Sequence, residues 1–191
     1  SNQSLVNICY SGIRMDQHEP EMYAAVAERL ATQMQAQGHK AKSILTTQEM
    51  SNMSWVLAKL PDELVKGRVK DQITVFMRTV ARMCVMTIRN FSIQELANIL
   101  WAVAKLGEQG DNRLFNEAYP IVQSRKATLR PEEKQQIEWA YATYFLFFVK
   151  LKNMQSKSTD FDNNQKMLRF QLSNFPIIFQ SIKLIVLTWI L

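Results

Sequence analysis

One helical segment is written into this chain three times, and a segment that recurs with its end signals intact restricts the fold more than composition does. The middle copy, residues 91–107, reads FSIQELANILWAVAKLG. Leu96, Ile99, Leu100, Val103, Ala104 and Leu106 fall on one side of it at helical spacing. Ser92, with Glu95 three residues later, makes a capping box that satisfies amides the first turn leaves unpaired. Phe91 and Leu96 stand where a hydrophobic staple crosses such a cap, and Gly107 occupies the left-handed position that ends a helix.

The upstream copy covers residues 46–60, with Thr46 and Glu49 as the capping box and Leu45 and Met50 as the staple. Shifted by 46 residues, Gln48, Glu49, Asn52, Trp55, Ala58, Lys59 and Leu60 match Gln94, Glu95, Asn98, Trp101, Ala104, Lys105 and Leu106. The third copy lies 38 residues further on, where Glu133, Ile137, Trp139, Ala140 and Ala142 repeat Glu95, Ile99, Trp101, Ala102 and Ala104. Pro131 takes the favoured first helical position there.

Second helices are predicted between the copies. Residues 68–90 carry Val69, Ile73, Phe76, Met77, Val80, Cys84 and Ile88 at helical spacing, and residues 111–125 carry Leu114, Phe115, Ala118, Ile121 and Val122. Pro120 bends or frays the latter. Residues 19–37, ahead of Gly38, form another. Each unit is then helix, turn, helix, and one such hairpin cannot bury its apolar face alone. The fold expected is all-α, an α-solenoid of antiparallel helix-turn-helix repeats of 38 to 46 residues each. The array spans residues 1–149, as about three repeats of a longer protein.

The segment QELANILWAVAKLG, residues 94–107, resembles the signature first helix of the octotricopeptide repeat, whose unit is about 38 residues, and the related helices of RAP-domain and FAST-kinase-like proteins. The resemblance covers residues 20–147 and is clearest in the middle copy. The 46-residue first interval departs from the family length, through a longer second helix or a loop around residues 66–68, and no RAP domain is recognisable. The resemblance implies a non-catalytic α-solenoid that binds single-stranded RNA in a mitochondrion or plastid and acts in RNA stability, processing or translation.

Candidate contacts follow from the helical wheel. Asn98, Ala102 and Lys105 share a face opposite the Leu96, Leu100 and Val103 stripe; Asn52, Val56 and Lys59 are their equivalents upstream, and Gln136, Ala140 and Thr143 downstream. Amides repeating once per unit suit base edges and lysines suit phosphates, whereas the alternative is that the amides brace the neighbouring repeat and the lysines are solvated. Arg78, Arg82 and Arg89 align on the 68–90 helix, with Asp71 its only acid. That stripe is either a phosphate surface or an ordinary wet face. Trp55, Trp101 and Trp139 lie at the edge of the apolar stripe, which favours packing between hairpins over base stacking. Tyr141, Tyr144, Phe145, Phe147 and Phe148 read as buried.

Composition adds a direction. Lys and Arg outnumber Asp and Glu by 23 to 17, a net charge of +6 that favours polyanionic partners, although such a surplus is common in proteins without them. Cys9 and Cys84 lack metal-ligand spacing and read as reduced, buried thiols. With two histidines and none of the HExxH, GxGxxG, GxxxxGK or GxSxG patterns, no enzyme, metal site, cofactor or small-molecule substrate is expected. The rival reading is a protein-binding scaffold, for example a structural part of an organellar ribosome or a partner of RNA-processing proteins.

The two ends stand apart. The chain opens on Ser1 with no signal or transit segment visible, so it reads as an internal piece. Residues 150–174 read as a polar linker, and 175–191 are apolar but short, with Lys183 among them, so a membrane span is not expected. That last segment is a buried helix, a poor tail anchor or translated non-coding sequence.

Overall fold

In the computed structural model, residues 1–37, 44–107 and 113–155 are described. Seven α-helices and no strand occur among them, so the described chain is all-α. They are α1 (Asn2–Arg14), α2 (Pro20–Gln37), α3 (Thr47–Lys59), α4 (Gly67–Thr87), α5 (Ile93–Lys105), α6 (Arg113–Ser124) and α7 (Pro131–Gln155).

The end signals act as expected. Thr46 caps α3 and Ser92 caps α5; in each, the hydroxyl accepts from the N3 amide while the N3 glutamate accepts from the cap amide. Leu45 with Met50, and Phe91 with Leu96, are all buried, as the two staples require. Gly107 has φ +71, the left-handed value of a residue that closes a helix. Pro131 begins α7. Pro120 lies inside α6, which continues through it rather than ending there. α4 has 21 residues against 12 in α6, so the longer first interval resides largely in the second helix.

One helix is not anticipated by the three-copy pattern. α1 is capped by Ser1, whose hydroxyl accepts from the Ser4 amide, and buries Val6, Cys9 and Ile13. α7 runs to Gln155, six residues past the boundary expected at 149, because its backbone keeps helical geometry into the polar stretch. Residues 156–191, which hold the rest of the expected linker and the apolar terminal segment, lie outside the described residues, as does the Gly38 break.

Packing follows the odd and even helices separately. α1 packs on α3, α3 on α5 and α5 on α7, while α2 packs on α4 and α4 on α6. Cross-helix hydrogen bonds show the direction. Thr47 Oγ1 donates to Glu95 Oε1 (3.1 Å) and Asn98 Nδ2 to Ser51 Oγ (3.2 Å), so the first turns of α3 and α5 lie side by side. Gln72 Nε2 donates to Glu28 Oε2 (2.6 Å) and Gln35 Nε2 to Thr79 Oγ1 (2.8 Å), which sets α2 and α4 in the same sense. Leu30, Leu57, Phe76, Met77, Leu96, Leu100 and Phe115 form one continuous core between the two series. Among the described residues, the apolar face of each helix in the middle of a series is buried mainly against the preceding and following helices of that series.

Candidate nucleic-acid interface

Matched caps hold α3 and α5 at the same height, so residues equivalent in sequence become neighbours in space. Three rows result on the odd helices. The first is made of amides. Asn98 Nδ2 donates to Ser51, and Gln136 Nε2 donates to Asn98 Oδ1 (3.3 Å), a chain of hydrogen bonds across α3, α5 and α7. Asn98 and Gln136 are half-buried and spend these groups on bracing successive helices; Asn52 is half-buried too. Ala102, expected on the same face, is fully buried beneath the neighbouring helices.

The second row is aromatic. The Tyr10 and Trp55 rings lie 5.5 Å apart, and those of Trp101 and Trp139 lie 6.5 Å apart, both tilted. The tryptophans therefore pack between successive helices, as their place at the stripe edge predicts. They are not sealed in: Trp55 and Trp101 are half-buried, and Trp139 is 39% exposed.

Cations form the third row. Lys59 Nζ sits 5.3 Å from the Trp55 ring centre and 5.4 Å from that of Trp101. Lys105 Nζ lies 5.8 Å from Trp101 and pairs with Asp62 at 3.7 Å. Arg14 lies over Tyr10 at 5.9 Å. A cation held over an aromatic face is attracted by the ring quadrupole, and the effect strengthens when water is excluded.

Together the rows reveal a pattern that reading by tryptophan alone misses. Asn7, Tyr10 and Arg14 on α1 have the spacing of Asn52, Trp55 and Lys59 on α3 and of Asn98, Trp101 and Lys105 on α5. α7 continues with Gln136 and Trp139, but Thr143 replaces the cation. An amide, an aromatic three residues on and a base four beyond that was the signal in the sequence. It went unseen in α1 because tyrosine stands there for tryptophan and Ser1 caps without a partner glutamate.

The arginine stripe lies on the other series. Arg78 and Arg82 are exposed on α4, and Arg89 is exposed in the 3-10 turn that follows it. Val75 and Met86 share their exposure on this helix. The eight residues predicted from sequence thus divide: Asn52, Lys59, Asn98, Lys105 and Gln136 gather on α3, α5 and α7, whereas Arg78 and Arg82 lie on α4 and Arg89, expected on the same helix, lies in the turn beyond its end.

Glu133 is buried at the start of α7 and accepts from the Arg130 amide (2.9 Å) and guanidinium (2.6 Å). Burial pushes its carboxyl up, but the Arg130 hydrogen bonds and charge outweigh this and hold it below the ordinary value. Burial pushes the Cys84 thiol up to about 12 and Cys9 to about 11, which keeps both protonated at neutral pH. Among the described residues, no group of three or more His, Cys, Asp or Glu could hold a metal ion, and no helix is long and apolar enough to cross a membrane.

Comparison of the chain with protein-family models, with curated proteins and with solved structures returned no match.

Proposed function

We propose that the chain is part of a non-catalytic RNA-binding α-solenoid, akin to octotricopeptide-repeat proteins, that acts in an organelle on RNA stability, processing or translation. The observation that carries this reading is the amide, aromatic and cation face repeated on α1, α3 and α5. Partly exposed rings, amides and bases on successive parallel helices offer a single strand the three chemistries it uses: stacking, edge hydrogen bonds and phosphate attraction. A net charge of +6 draws the polyanion to the surface.

The Asn98–Gln136 hydrogen bond favours a second reading, a protein-binding scaffold such as a structural part of an organellar ribosome, because it commits two candidate amides to bracing.

Filter-binding titrations over a salt series test the proposal. Replacing Arg78, Arg82 and Arg89 together with Gln should weaken RNA binding and lower the salt slope by about 2, at roughly 0.7 per phosphate contact on a single strand. Unchanged affinity and slope dismiss the α4 stripe, and the same experiment on a Lys59→Gln, Lys105→Gln pair assigns the phosphate contacts to the odd helices. Crosslinking in cells that recovers proteins but no RNA favours the scaffold.

A further inference from the structure

The aromatic row is not uniform. Tyr10 meets Trp55, and Trp101 meets Trp139, but Trp55 and Trp101 form no ring pair among the described residues. The ammonium of Lys59 lies over both, 5.3 Å from one ring centre and 5.4 Å from the other. Aromatic groups in offset-stacked or edge-to-face contact have centres roughly 4.5 to 7 Å apart. A planar group centred where the ammonium now lies would therefore be within aromatic contact distance of both indoles.

We propose that Trp55, Lys59 and Trp101 form a slot for one nucleobase, with Lys59 occupying it in the free protein and moving to the adjoining phosphate when a base enters. The inference deepens the RNA-binding reading and rests on it.

One observation and two general arguments support the exchange. Lys59 is exposed, and its flexible four-carbon stem lets the ammonium leave without disturbing α3. The cation–π attraction it gives up is modest at a solvated site. A phosphate next to the entering base would regain charge pairing for the same ammonium. The neighbouring cation cannot substitute in the same way, because Lys105 is engaged by Asp62 and only 27% of its side chain is exposed. A cationic peptide side chain would also suit two indole faces, but Arg14, Lys59 and Lys105 line this row, and the excess of positive charge repels such a partner.

The test is a fluorescence-anisotropy titration of end-labelled oligo(A) and oligo(U) RNA with the full chain and with Trp55→Leu, after circular dichroism and melting establish that the variant is folded. Loss of one base–indole stack should weaken binding by roughly 5- to 150-fold for both RNAs, because stacking is tolerant of sequence. Should Trp55→Leu lose its fold, Lys59→Tyr serves instead, since the position is exposed and a ring there plugs the slot. Lys59→Gln should lower the salt slope by about 0.7. If the wild type binds RNA and the folded variant binds equally well, the slot is wrong and the RNA reading stands. If the wild type binds neither RNA, both fall. Tight binding of an arginine-rich peptide that the variant loses, with RNA binding unchanged, overturns the slot in favour of a cation cage.

Discussion

Gly12 and Tyr23 set how closely the first two helices approach. Tyr23 is fully buried, and its hydroxyl donates to the Gln17 carbonyl at 2.6 Å, which pins the ring against the α1 backbone. A Cβ at Gly12 would lie 2.5 Å from that oxygen. Alanine ordinarily improves a helix over glycine by about 1 kcal/mol, but here overpacking of about 1–3 kcal/mol opposes it. Gly12→Ala should therefore lower stability in urea melts, and it should do so less in a Tyr23→Phe background, where the oxygen is gone. An equal loss in both backgrounds would place the constraint elsewhere. The lysine between two indoles belongs to this scale as well. Its sequence position names a charge, and only the neighbouring ring on α5 makes it a plug.

At the scale of the element, the caps do two jobs. Ser92 and Glu95 satisfy amides at the start of α5, and Glu95 also accepts from Thr47 on α3 (3.1 Å). Glu49 of α3 instead turns its second bond to its own cap residue, Thr46. Ser92→Ala should cost about 1 kcal/mol, the usual value of a lost N-cap. Glu95→Ala should cost more than Glu49→Ala in denaturant titrations, since it also leaves Thr47 without its cross-helix partner. Equal losses would mean that the α3–α5 link contributes nothing. These helices were legible because a cap, a staple and a terminal glycine are local and write themselves into neighbouring residues. α1 was harder to see because its signature differs at both the cap and the ring. Bracing by the amides was one of two readings the sequence left open, but the partners in the Ser51–Asn98–Gln136 chain could not be read, because they are 47 and 38 residues apart and meet only once the helices are aligned.

On the scale of the whole molecule, stability should be graded along the series. Among the described residues, α3 and α5 are each flanked by odd helices on both sides, whereas α1 packs chiefly on α3, with α2 beside it. Local opening is easier where a helix has fewer packed neighbours. Amide hydrogen exchange should therefore be slowest in α3 and α5 and faster in α1. Uniform protection from α1 to α5 would instead describe a single cooperative unit.

What the sequence determined by itself was the periodic part: all-helical character, the ends of α3 and α5, the apolar stripes and the equivalence of the three tryptophans. These follow from contacts between residues a few positions apart, where backbone hydrogen bonding and helical spacing leave few choices. Tertiary structure decided which exposed-looking residues stay exposed. Ala102 became fully buried and two amides were turned on each other, because packing parallel helices covers whatever faces along the row and leaves open only what points across it.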